Sequence, residues 1–169
     1  MLFPIHVYAA SFRLVPLGTS GGEFQDNLSA YLVSTTHSKT WVALDAGTTC
    51  SAIAKLPLSQ LKRMGYTQPE QTTAAMDLFN QGIEAYLISH AHLDHIAGLI
   101  ICSPIEKPKT IYGLNQTLNN IRDYLFNNQI WVNFTDKGEG ALKKYHLHTV
   151  INQQNFQITD TPLQLPLLT

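Results

Sequence analysis

Apolar residues recur along this chain with two periods, and the changes from one period to the other predict its elements. Arg13 to Leu17 and Leu28 to Ser34 read as two short strands, with the backbone-permissive run Gly18-Thr19-Ser20-Gly21-Gly22 as a loop between them. Trp41-Val42-Ala43-Leu44 reads as a third strand, ended by the turn signal Asp45-Ala46-Gly47. Ala52, Leu56, Leu58, Leu61 and Met64 then mark one or two helical turns, interrupted at Pro57. Pro69 to Asn80 predicts a helix, with Pro69 near its start and Ala74, Ala75, Leu78 and Phe79 on one side. The continuous apolar run Ile83 to Ile88 predicts a buried strand that delivers the chain directly to His90.

Beyond it, Thr110-Ile111-Tyr112 predicts a strand, Gly113-Leu114 its turn, and Asn115 the N-cap of a helix bearing Leu118, Ile121, Leu125 and Phe126. Tyr145 to Ile151 and Phe156 to Ile158 read as late strands, and Leu163 to Leu168 as an apolar segment interrupted by Pro166. Alternation of strands and helices implies a layered α/β arrangement, taken as a single domain over 1–169. Met1 to Ser11 reads as a first strand or arm. Its small residues Ala9, Ala10 and Ser11 resemble the end of an export signal, but no Lys or Arg precedes Arg13.

Composition narrows the function classes. With 44% hydrophobic residues over 169 positions, the chain can bury a real core. Eleven Lys plus Arg against twelve Asp plus Glu give a formal net charge of -1, so no global field draws the protein to a nucleic acid polymer. An anionic ligand must therefore be captured locally. Cys50 and Cys102 lie far apart and outside any Cys-x-x-Cys spacing, and read as two buried thiols. No apolar run reaches the roughly 18 residues of a membrane span. The expected location is the cytoplasm, with the periplasm as the alternative.

The chemistry concentrates in His90-Ala91-His92-Leu93-Asp94-His95, which follows a strand and precedes the apolar stretch Ile96 to Ile101. A βα junction of this kind is where open α/β folds place ligands. Neutral imidazoles suit zinc and its neighbours, and a carboxylate beside them lowers the charge of a two-ion site. His90 and His92 alternate on extended chain, whereas Asp94 and His95 lie at the turn into a helix, so two neighbouring ion sites are the natural reading.

The longer run from His90 through Gly98, Leu99, Ser103 and Pro104 resembles the signature of the class II cyclic-nucleotide phosphodiesterases, within the metallo-β-lactamase superfamily. Leu17 to Gly22, followed by Asn27-Leu28-Ser29-Ala30-Tyr31-Leu32, resembles the family's opening, and Val42 to Gly47 the superfamily strand that ends in a buttressing Asp. The resemblance covers residues 12 to 134. It implies the N-terminal half to two-thirds of a metallo-β-lactamase-like αββα sandwich. It also implies two divalent ions, zinc first and manganese or magnesium as alternatives. His90 and His92 would hold one ion and Asp94 and His95 the other, Asp94 and His95 serving the reaction most directly. Asp45 would orient a ligand, and Gly21, Gly22 and Asn27 would form a loop near the substrate. The reaction implied is two-metal hydrolysis of a 3′,5′-cyclic nucleotide, cyclic AMP above all, to the 5′-nucleotide.

Three readings stay open. Asp45 is also an ordinary residue for a turn after a strand, and the glycine loop lacks the Gly-Lys-Ser/Thr ending of a P-loop, so it is also readable as a tight connection. His146 and His148 alternate, so they share one face of a strand, which reads as an ordinary strand face with a pair of further ligands as the alternative. The superfamily completes its centre with a further His, a bridging Asp and a last His. Thr161 to Thr169 resembles the strand that leads to the first of these, so the expectation is a truncated product with impaired activity. Alternatives in other classes are another hydrolase of the superfamily and a non-catalytic fragment that binds metal or a partner. An exposed sheet edge would favour self-association.

Overall fold

In this computed structural model the described residues are 11–68, 72–151, 156–158, 161 and 164–165. Six segments form one sheet whose strand order follows chain order: β1 (Phe12–Gly18), β2 (Ala30–Thr35), β3 (Trp41–Leu44), β4 (Ile83–Ile88), β5 (Lys109–Gly113) and β6 (Tyr145–Thr149). The first two pairings are antiparallel and the last three parallel. Parallel neighbours require crossovers. The first carries α1 (Thr49–Lys55), α2 (Leu58–Met64) and α3 (Ala74–Asp77), the second α4 (Leu93–Cys102), and the third α5 (Asn115–Asn120). The C-terminal ends of β3, β4 and β5 therefore open along one edge, the location of ligand sites in open α/β sheets.

Alternation along the strands sorts the core onto two faces. Trp41, Ala43, Tyr86 and Ile111 join Ile53 of α1, Leu61 of α2 and Ile96 and Leu99 of α4 in the main cluster. Val42, Ala85 and Tyr112 point the other way and meet Ile158. Ile158 directly follows β7 (Phe156–Gln157), which pairs antiparallel with β8 (Gln164–Leu165) as a separate sheet. Burying an Ile or Leu completely contributes about 1.5–3 kcal/mol, so a ten-residue helix such as α4 is held by Ile96 and Leu99 rather than by its propensity.

The described residues refine several boundaries. Pro57 is the cap that separates α1 from α2. The helix expected up to Asn80 is α3 alone, capped by Thr73, whose side chain accepts from the Met76 amide, and it widens into a π turn over Leu78–Gly82. Asn115 is not an N-cap: Leu114 already accepts the first helical bond, from the Leu118 amide at 3.0 Å, so Asn115 is the first helical residue. Cys50 and Cys102 are not free thiols. Packing of α1 against α4 brings them together, and they are joined as a disulfide across a separation of 52 residues. The strand or arm expected at Met1 to Ala10, the helix start expected at Pro69 and most of the apolar segment expected at Leu163 to Leu168 lie outside the described residues.

The turn after β3 is fused to α4 by backbone bonds. The Ala46 amide donates to His95 O (2.7 Å), the Gly98 amide to Gly47 O (2.8 Å) and the Leu99 amide to Ala46 O (3.2 Å). A Cβ on Gly98 would stand 2.6 Å from Ala46 O, and one on Gly47 2.2 Å from Asp94 O. Backbone this close excludes side chains at both positions. Gly98→Ala is expected to lower the unfolding free energy by about 1–3 kcal/mol, read as a reduced urea midpoint at unchanged slope.

At the other end of the parallel strands, Glu106 is 3% exposed and Lys109 7%. Tyr86 Oη donates to Glu106 Oε1 (2.6 Å) and Tyr145 Oη to Oε2 (2.5 Å). Lys109 Nζ donates to the carbonyls of Ile83 (2.6 Å) and Asn80 (3.2 Å) and lies 3.9 Å from Glu106 Oε1. One buried carboxyl thus links β4, β5 and β6. No helix among the described residues is long and apolar enough to cross a membrane.

Candidate functional site

β3 ends at Leu44, and the next residue takes an unusual backbone. Asp45 has φ 56, a left-handed conformation uncommon outside glycine and often found where a site dictates geometry. Its amide still donates to Leu87 O (3.0 Å), so the turn stays anchored to β4 while the carboxyl swings toward the strand end. Oδ1 accepts from the Ser89 amide (2.9 Å) and hydroxyl (2.9 Å), and Oδ2 lies 2.7 Å from His95 Nδ1. A carboxylate only accepts, so His95 donates from Nδ1, and in the neutral ring Nε2 is the nitrogen with the lone pair.

The remaining donors come from the β4–α4 junction. His92 is the N-cap of α4, and its carbonyl accepts from the His95 amide (3.0 Å). Asp94 and His95 occupy the first helical turn, where the helix dipole favours a carboxylate. Asp94 Oδ2 lies 3.6 Å from His95 Nε2. The His90 ring stands 4.6 Å from that of His92 and 4.0 Å from that of His95, centroid to centroid. Three imidazoles and one carboxylate are therefore immediate neighbours.

The glycine loop reaches the same place. A Cβ on Gly21 would stand 3.6 Å from Asp94 Oδ2, while one on Gly22 would meet nothing within 4 Å. Asn27 ties this loop together rather than projecting from it: its Oδ1 accepts from the Thr19 amide (3.2 Å), and its Nδ2 donates to Ser20 Oγ (2.8 Å) and Thr19 Oγ1 (3.3 Å). His146 and His148 are engaged elsewhere, His146 Nδ1 at 2.6 Å from Asp136 Oδ2 and the His148 ring against Tyr112. Ser89 escaped the sequence reading. Its one signal was a hydroxyl residue between a buried strand and the first His of a ligand run.

The donors suit a divalent ion in kind, since imidazole nitrogen with a carboxylate oxygen is a zinc-type set. Their aim is less complete. Among the described residues no three His, Cys, Asp or Glu side chains converge as a closed coordination sphere. An apolar cleft of about 540 Å³, lined by Ile53, Leu61, Ala74 and Phe79, shares no residue with the histidine cluster. Its lining carries none of the cluster's donors, and the chemistry stays with the open rim of the sheet.

Comparison with known proteins bears on the family and the fold. The family of class-II cAMP phosphodiesterases matches residues 12–165. A 3′,5′-cyclic-nucleotide phosphodiesterase of Aliivibrio fischeri is 40% identical over 150 residues, covering 86% of this chain and 44% of that protein. The crystal structure of unliganded yeast PDE1 superimposes with a TM-score of 0.73 at 22% identity, over 91% of this chain and 54% of that one. The metallo-beta-lactamase fold protein YhfI from Bacillus subtilis gives 0.52 at 17% identity, over 88% and 49%. These likenesses give the metallo-β-lactamase fold, as expected from the sequence, and the chain spans about half the length of the relatives it matches. The chain belongs to the class-II cAMP phosphodiesterase family.

Proposed function

We propose that this chain serves the metal-dependent hydrolysis of 3′,5′-cyclic nucleotides, cyclic AMP first, to 5′-nucleotides. The observation that carries the reading is the Asp45 carboxylate, which holds His95 by Nδ1 so that Nε2 faces Asp94 in a cluster with His90 and His92. His90 and His92 would hold one divalent ion and Asp94 and His95 a second, with zinc as the first candidate and manganese or magnesium as alternatives. When bound, such ions act as Lewis acids, neutralising phosphoryl oxygens and lowering the pKa of an attacking water.

The chain's own residues supply position. Asp45 fixes the His95 ring, and the Ala46–Gly47 turn holds the start of α4 through the backbone bonds described above. Gly21 borders Asp94 without a side chain, and the open space at Gly22 leaves room for a singly charged cyclic phosphate. Release of the 3′ oxygen then gives the 5′-nucleotide.

The test is conversion of cyclic AMP by the purified chain with added Zn²⁺ or Mn²⁺, followed by chromatography of the products. Formation of 5′-AMP that stops on chelation and resumes on metal addition is expected. Turnover indifferent to chelation, a 3′-AMP product, or no turnover by a metal-loaded chain would each overturn the reading for this chain.

A further inference from the structure

We propose that Ser89 is a positioning residue of the histidine cluster, extending the hold of Asp45 to His90 and fixing His90 as the Nδ1–H tautomer. The inference rests on the reading of the cluster as a divalent-metal centre and deepens it. Ser89 Oγ lies 2.9 and 3.0 Å from the two Asp45 oxygens and 3.0 Å from His90 Nδ1. A serine hydroxyl has one proton and two lone pairs, and a carboxylate oxygen only accepts. The proton therefore goes to Asp45. Facing His90, Oγ can then only accept, so His90 Nδ1 must donate and Nε2 keeps the lone pair that binds metal.

The serine is itself held. Its amide donates to Asp45 Oδ1 at 2.9 Å, which fixes the backbone in front of His90. One carboxylate thus sets two imidazoles: His95 directly and His90 through a hydroxyl. In the proposed assignment these two rings serve different ions, so Asp45 and Ser89 couple the two halves of the centre. Asp45 is supplied by the turn after β3 and Ser89 by the residue that follows β4.

The experiment reads imidazole tautomers first and metal second. Long-range ¹H–¹⁵N correlation of the metal-free chain, at a pH of about 8, assigns the protonated nitrogen of His90 in wild type, Ser89→Ala and Ser89→Thr. His90 is expected as Nδ1–H in wild type and Ser89→Thr, and as largely Nε2–H in Ser89→Ala. Zn²⁺ affinity, measured against a chromophoric chelator, is expected to fall about 10-fold or more in Ser89→Ala and to recover in Ser89→Thr. A purely structural serine would lower the unfolding midpoint of the metal-free protein and leave the tautomer alone. Nε2–H at His90 in wild type, or an unchanged tautomer in Ser89→Ala, overturns the proposal even if a variant folds poorly. Zinc affinity equal in wild type and Ser89→Ala does the same. A wild type that binds no zinc fails the metal-centre reading instead, and the tautomer measurement still decides the role of Ser89.

Discussion

Asp94→Ala is expected to bring metal-dependent hydrolysis of cyclic AMP down to background and to reduce the zinc bound at saturation by one equivalent. Asp94 is the only carboxylate among the four neighbouring donors, and it stands 3.6 Å from His95 Nε2 at the first turn of α4. Its loss leaves three neutral imidazoles to face the charge of two ions, and the second ion loses half of its proposed ligands. Helix stability changes little, because a carboxylate at a helix start contributes only about 0.3–1 kcal/mol. Asp45→Ala supplies the contrast. It removes no ligand but frees the His95 ring and the Ser89 hydroxyl, so zinc affinity is expected to fall by about 10- to 100-fold while both equivalents still bind at saturation. Zinc titration of the two variants beside an activity assay separates them. An Asp94→Ala protein with wild-type turnover and two bound ions would remove Asp94 from the centre.

Glu106→Ala is expected to cost about 3–5 kcal/mol of unfolding free energy, the scale for removing one partner from a buried ion pair. The change strips the acceptor from two tyrosine hydroxyls and takes the Glu106 carboxyl away from the buried Lys109 ammonium. Urea unfolding checks it, and a loss within about 0.5 kcal/mol, the scale of an ordinary surface substitution, would deny the network its role. The group also gives a pH dependence of known sign. Burial raises the Glu106 carboxyl above its ordinary value, against the opposing effects of Lys109 and the two tyrosine hydroxyls. Between the unfolded and the folded value, the folded state therefore keeps a proton that the unfolded chain has already released. The stability this group contributes is present below the unfolded value and is lost as pH rises through the folded one. Glu106→Gln, which cannot titrate, is expected to flatten that part of the stability profile. The tyrosines stay protonated throughout, since desolvation and the nearby carboxyl push both hydroxyls up.

What could be read from the sequence was local. Trp41–Leu44 and Ile83–Ile88 are strands at their expected limits because short apolar runs between turn signals leave few alternatives. His90, His92, Asp94 and His95 stood out because their donors crowd into one junction. Asp45 was visible as a turn residue after a strand and, through the family resemblance, as a residue that orients a ligand, but its left-handed backbone and its grip on His95, fifty residues away, arise only when β3 lies beside β4. The same reason hid Ser89, the Cys50–Cys102 pairing and the buried Glu106 network, whose members come from β4, β5, β6 and the segment after α4. Asn27 was legible as a loop residue, yet periodicity could not say that its amide is consumed within the loop. Pattern fixes an element's existence; partners across the sheet fix its function.

The sheet's strand order has a kinetic meaning. Because β1 to β6 stand in the order in which they are synthesised, each strand that emerges finds its neighbour already present, and no strand must be inserted between two earlier ones. Local antiparallel pairing closes first and at low loop entropy, while each parallel strand waits for its crossover helix. All the residues gathered at the rim, from the glycine loop through Asp45 to His95, belong to β1–β4, α4 and the turns between them. On a ribosome, where folding proceeds from the N-terminal side, every segment of the donor cluster therefore emerges ahead of β5 and β6, and those two strands extend the sheet from β4 outward.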